Sequence, residues 1–193
     1  AIPFKSQKKW IQDLDLHMQN PEISWEDAYS MPFQTTKSTR LREFQYKLLH
    51  RRLATNTFLF TILKLGEDDT CTFCKTNKED LCHLFWTCEK TNDFWKKLKL
   101  WLIGCKAVPE DYDQNIATVL GLRPDKTKFK NQINFCLLNA RYYIWSCRTA
   151  DNQPSFQQFL HQHKTLYSLE FNEAKNLQTE KDPIYLYFWS NNK

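Results

Sequence analysis

Glycine is nearly missing: Gly66, Gly104 and Gly121 are the only three in 193 residues. A phosphate-cradling loop needs clustered glycines so that backbone amides can approach the anion closely, and three scattered ones exclude that class of nucleotide site. Long apolar runs are missing too. None approaches the roughly 20 residues of a membrane-spanning helix, and no secretory leader opens the chain, so no membrane partner is expected. Nor is there a disulfide framework. Seven cysteines are an odd number, and their placement suits a reducing compartment, so the expected location is nucleus and cytoplasm. The first residue is Ala1 rather than Met, as expected of a piece excised from a longer chain.

Hydrophobic residues make up 41% of the chain and aromatics 15%, enough to fill a packed core rather than leave the chain disordered. Few glycines among many Lys, Leu, Glu and Gln favour helix.

The stretch CTFCKTNKEDLCHLFWTC places Cys71, Cys74, His83 and Cys88 in the pattern C-x2-C-x8-H-x4-C. Three thiolates and one imidazole satisfy the tetrahedral preference of Zn2+, and four protein ligands close the site, which points to a structural ion. The C-x2-C pair lets one tight turn present two sulfurs, and the H-x4-C pair does the same from a turn or the start of a helix. Leu84, Phe85 and Trp86 between them read as packing residues. Cys82 adjoins His83 but is expected to point elsewhere, leaving Cys82, Cys105, Cys136 and Cys147 as buried thiols.

Charge is unevenly placed. From Lys37 to Leu53, Lys37, Arg40, Arg42, Lys47, Arg51 and Arg52 stand against Glu43 alone, six minus one, or +5. That equals the net charge of the whole chain, so the remainder sums to zero. Such a local excess is the footprint of a nucleic-acid surface, although a charge run is more often a solvated helix face.

Periodicity predicts helices over most of the chain. Ser6–Met18 carries Trp10, Ile11, Leu14 and Met18 and is expected to stop at Asn20-Pro21. Ser24 caps a short helix through Tyr29, which Pro32 should end. Ser38–Leu53 has an apolar stripe of Leu41, Phe44, Leu48 and Leu49, with Arg40, Lys47 and Arg51 sharing another face. Thr55 or Asn56 caps a helix ending at Gly66. Lys90–Ile103 and Lys128–Thr149 are helical, with a loop between them broken by one turn near Ile116–Leu120. Ser155 caps a last long helix, and Ile184–Trp189 suits strand or helix. The expected fold is mainly α, a helical domain with an inserted Cys-Cys-His-Cys zinc-binding turn. Its expected segments are residues 1–66 with the basic helix, 67–103 with the zinc motif and the following helix, and 104–193, either separate or together one domain.

The runs LREFQYKLLHRRLATNTFLF, CTFCKTNKEDLCHLFWTC and DFW resemble the C-terminal zinc-binding region of LINE-type (non-LTR) retrotransposon reverse transcriptases over about residues 38–103. A weaker match continues through Ala140-Arg-Tyr-Tyr-Ile-Trp and the Pro154-Ser-Phe-Gln-Gln-Phe helix start to the C-terminus. The resemblance implies zinc on Cys71, Cys74, His83 and Cys88, an upstream reverse transcriptase domain as partner, and a role in holding template RNA or target DNA during target-primed reverse transcription. Polymerases of that family carry an aromatic-x-Asp-Asp motif for two metal ions, whereas the one adjacent pair here, Asp68-Asp69, sits in a turn. Arg123-Pro124-Asp125 resembles a nuclease Pro-Asp, but no further acid follows until Asp151. His161-x-His163 points its two rings apart along a helix. No catalytic residues are therefore expected.

The expected nucleic-acid contacts are Lys37, Arg40, Lys47, Arg51 and Arg52, with Lys75 and Lys78 from the zinc turn. Trp86 or Phe73 would serve for base stacking, or equally pack against the Trp95 helix. The competing expectation is a helical scaffold that docks onto the polymerase domain or another protein, its zinc purely structural.

Overall fold

In the computed structural model, which describes residues 5–18, 23–171 and 182–189, helices dominate. They are α1 (Lys5–Asp15), α2 (Trp25–Thr35), α3 (Thr39–Leu49), α4 (Glu89–Gly104), the single turn α5 (Ile116–Val119), α6 (Lys130–Thr149), α7 (Phe156–Phe171) and α8 (Pro183–Trp189). Two π-helical turns, Phe58–Ile62 and His83–Thr87, precede α4. The mainly α class expected from the sequence is what the chain adopts. Among the described residues the β structure is one isolated antiparallel bridge, Thr70 to Lys78.

The architecture is built on α6. Twelve of its twenty residues are buried, on more than one face, which marks a central helix rather than a surface one. α2 and α3 pack on it and on each other, α7 packs against it as well, and α4 lies along α7. Phe94 of α4 meets Tyr143 of α6 and Phe156 and Phe159 of α7, with ring centroids 5.3–5.9 Å apart. Phe94 and Phe159 are fully buried, and each contributes about 1.5–3 kcal/mol through that burial.

Local signals set most helix starts. Ser24 Oγ accepts from the Asp27 amide, Ser38 Oγ from Leu41 and Ser155 Oγ from Gln158. Phe58 is capped by Thr55 Oγ1, and Gly66, at φ +85°, lies beyond the end of that turn. Two stops fall elsewhere than expected. Pro32 lies inside α2 rather than ending it: burial of Ala28, Met31, Pro32 and Thr35 offsets the one amide that proline removes. α3 ends at Leu49, short of Leu53, and Arg51 turns into the left-handed region at φ +56°. The expected stop at Asn20-Pro21 lies outside the described residues.

The ambiguous tail is a helix. Ile184 and Phe188 are buried four residues apart, and Asp182 caps the Ile184 and Tyr185 amides at 3.0 and 3.2 Å while accepting from the Tyr167 hydroxyl. Of the histidine pair, His161 is exposed and His163 fully buried.

Candidate metal centre

The Cys71–Lys78 segment folds back on itself. Cys71 N–H donates to Asn77 O at 2.7 Å and Lys75 N–H to Cys71 O at 2.9 Å, with Lys75 left-handed at φ +58°. The turn brings both sulfurs to its inner side. The second pair depends on the π-helical turn. In an α-helix, residues five apart sit about 140° around the axis, on different faces. Here Cys88 N–H bonds to His83 O at 2.9 Å, an i to i+5 turn whose wider winding brings His83 and Cys88 toward one side.

These four donor atoms converge to within 4.8 Å of one another. Cys71 Sγ lies 3.9 Å from Cys88 Sγ, and Cys74 Sγ lies 3.3 Å from His83 Nε2. A tetrahedral zinc with ordinary bond lengths sets donors about 3.8 Å apart for two sulfurs and about 3.6 Å for sulfur and nitrogen. The separations fit. Cys71, His83 and Cys88 are buried, and no position is left open for water or substrate. The cofactor that this set fits is Zn2+.

The surroundings support the same charge arrangement. Burial works against a Cys74 thiolate, yet the Thr76 hydroxyl, the Asn77 and Thr76 amides and His83 outweigh it and hold the thiol at about 5. The Thr76 hydroxyl donates to Cys74 Sγ at 3.2 Å. Cys88 is held below its usual range by the Cys71 thiol, which donates to it, and by the Lys90 and Thr91 amides at the start of α4. Cys71 is pushed up by that same hydrogen bond and by burial, and the neighbouring cysteines raise His83 to about 9. Metal ligation needs deprotonated donors, so a bound cation works against the upward pull on Cys71 and His83. His83 Nδ1 pairs with Thr87 Oγ1 at 3.1 Å, which leaves Nε2 facing the sulfurs.

Residues 4–95 match the protein family described as zinc-binding in reverse transcriptase. Over that span the chain is similar to the zinc-binding region of reverse transcriptases. The span takes in all four donors and ends within α4, and what matches is an accessory, zinc-binding region rather than a catalytic one. No curated protein matches the chain.

In this zinc-binding region Cys82 is a spectator. Its sulfur lies 3.9 Å from Asp13 Oδ2, and burial with the Asp13 and Asp80 charges pushes it up to about 12. Cys105, Cys136 and Cys147 are buried free thiols. Phe73, Leu84 and Phe85 are core residues, so Phe73 presents no face for stacking, while Trp86 is half-buried. Trp95 Nε1 donates to Phe85 O at 2.7 Å, locking the π-helical turn onto α4.

The structure disperses the seven basic residues expected to meet nucleic acid. Arg40 and Arg52 are exposed, with no ion-pair partner among the described residues. Lys47 pairs with Glu43 at 2.7 Å, Lys75 with Asp151 at 3.4 Å and Lys78 with Asp69 at 3.2 Å, all with exposed cations. The backbone amide of Lys37 donates to Glu170 Oε1. Arg51 departs from the expectation. Beyond the end of α3, it leaves the face of Arg40 and Lys47, pairs with Asp13 at 2.7 Å and lies 4.2 Å over the Trp10 ring. Its main role is to dock α1, whose Trp10 also donates to Leu49 O.

Sequence reasoning missed Glu79. This fully buried carboxylate accepts from the amides of Asn56 and Thr72 and from Arg148, so it ties the zinc turn to α6. Its partners are too distant in sequence to signal it, and Glu79 itself reads as one more acid in a charged loop.

Proposed function

We propose that this chain is the C-terminal zinc-binding region of a LINE-type (non-LTR) retrotransposon reverse transcriptase, and that it holds template RNA or target DNA during target-primed reverse transcription. Cys71, Cys74, His83 and Cys88 hold a structural Zn2+ that cross-links the 71–78 turn to the start of α4. The upstream polymerase domain supplies the chemistry, and the nucleus and cytoplasm are where the protein acts. The observation that carries the reading is the exposed basic stretch leading into the zinc turn, where Arg40, Lys47 and Arg52 face solvent. The Lys47–Glu43 pair is exposed on both sides, and pairs of that kind are worth little, so Lys47 is readily recruited by a phosphate. Lys75 is available in the same way, its pair with Asp151 being exposed on both sides, and Lys78 is itself exposed although its partner Asp69 is largely buried.

A second reading, a scaffold docked on the polymerase domain, is favoured by one feature. Around the first π-helical turn Phe60, Ile62, Leu63 and Leu65 are 41–65% exposed, an apolar cluster of the kind that partner proteins cover.

Titration of the zinc-loaded chain into fluorescent single-stranded RNA and duplex DNA at low and moderate salt separates the two readings. Phosphate binding predicts an affinity that falls about tenfold or more as salt rises. Absence of binding at low salt, with tight association to a polymerase domain, would establish the scaffold instead.

A further inference from the structure

Between α1, the end of α3 and the first π-helical turn lies an open cleft of about 700 Å³. That volume is in the range of about 300–1,000 Å³ typical of ligand pockets. Its rim is basic. Lys5 and Lys9 stand one turn apart on α1 and face the cleft together with Arg52. All three are exposed, with no ion-pair partner among the described residues. With Arg51 the lining carries four cations against one carboxylate, Asp80, whose Oδ1 already accepts the His83 amide at 2.7 Å.

Two buried polar atoms of residues on this same wall have no hydrogen-bond partner: Arg51 Nη1 and Thr57 Oγ1. Such orphans are rare in folded proteins. Arg51 is otherwise fully committed to Asp13 and Trp10, so its remaining N–H groups are held in place. Both atoms are shielded from solvent, so they mark a polar underside to this wall, while the groups open to a ligand are the Lys5, Lys9 and Arg52 cations. The other wall is apolar: Phe58 is half-buried, and Ile62 is 65% exposed.

We propose that this cleft takes one nucleotide of a single-stranded nucleic acid. Its flanking phosphates sit among Lys5, Lys9 and Arg52, and its base lies against Phe58 and Ile62. A base within a duplex is already stacked on its neighbours, whereas an unpaired base offers a free face to an aromatic and aliphatic wall. The inference rests on the nucleic-acid reading above and gives the base a place: the cleft between α1, the end of α3 and the first π-helical turn, with the outer face of α3 left to neighbouring phosphates.

The test uses the full zinc-loaded chain, a fluorescent oligouridylate and a blunt DNA duplex, across a salt series. Lys5→Ala/Lys9→Ala/Arg52→Ala is expected to weaken oligouridylate binding at least tenfold and to lower the log–log salt slope by about 1, the loss of one to two phosphate contacts. Ile62→Ser, at an exposed position that leaves the core intact, is expected to weaken it several-fold with the slope unchanged. Arg40→Ala/Lys47→Ala, on the outer face of α3, should weaken it less than the cleft variant does. If the wild type binds and only Arg40→Ala/Lys47→Ala weakens it, the cleft assignment falls while the nucleic-acid reading stands. Equal losses for duplex and oligouridylate overturn the single-strand assignment. No binding by the wild type at low salt overturns both.

Discussion

Arg148 Nε donates to Glu79 Oε1 at 2.9 Å, and its Nη2 reaches Asn56 Oδ1 at 2.6 Å. Glu79 is wholly buried and the Arg148 side chain 11% exposed, so one ion pair joins the zinc turn to the C-terminal end of α6. Removing one partner of such a pair strands the other charge without solvent. Arg148→Met is expected to destabilise the zinc-loaded chain by about 3–5 kcal/mol. Denaturant titration checks this, and Glu79→Gln/Arg148→Met should recover part of the loss, since the stranded charge is then gone.

Zinc removal should act locally first. Cys71 and Cys88 are fully buried, and without an ion nothing covalent or ionic joins their sulfurs. Chelation, or Cys74→Ser, is expected to abolish amide-exchange protection across residues 70–88 while α6 and α7 keep theirs. Unchanged protection in that segment would count against a structural ion.

His163 makes stability depend on pH. Burial holds it near 3, against an ordinary value of 6.5, with Nδ1 accepting from Asn139 at 2.8 Å. Above about pH 6.5 the ring is neutral folded and unfolded alike and contributes no pH dependence. Below it the unfolded chain takes up a proton that the folded chain refuses, so stability falls as pH drops toward 3. Between pH 7.5 and 5 this amounts to about 2 kcal/mol, from about 1.5 pH units below the unfolded value. His163→Gln should lose that part of the slope in denaturant midpoints measured at several pH values. An identical slope in both proteins would refute the assignment.

Gly121 and Lys75 share a left-handed backbone and should respond oppositely. A Cβ at Gly121, φ +72°, would come within 2.7 Å of Gln45 Nε2 and 2.8 Å of Arg141 Nη2. Both side chains are buried and committed: Arg141 donates to Gln45 and to Val119 O, and Gln45 to Leu120 O. Gly121→Ala is expected to cost about 2 kcal/mol or more.

Lys75 holds φ +58° on a residue with a Cβ, and its pair with Asp151 is exposed on both sides. Lys75→Gly is expected to raise the stability of the zinc-loaded chain by up to about 1 kcal/mol. A thermal melt shows the sign, and a fall in melting temperature would show that the Asp151 pair matters more than the backbone.

Local patterns carried much of the fold. The zinc donors, the caps at Ser24, Ser38 and Ser155, and the apolar stripe of α3 each depend on residues within a few positions, where spacing alone constrains geometry. The stop at Pro32 failed because long-range burial of α2 against α6 outweighed a local preference. Periodicity predicted α6 as one helix among several, whereas the folded chain is built around it. Only tertiary structure decided which charges face solvent. Arg51 looked like Arg52 in sequence until Asp13 and Trp10 of α1 claimed it, and Lys5 and Lys9 were unremarked until the docking of α1 set them beside Arg52. Glu79 and Arg148, 69 positions apart, could be matched only once α6 lay under the zinc turn. Periodicity tells which face of a helix is apolar. It does not tell which distant element that face will meet, and the pairing of charges follows from that meeting.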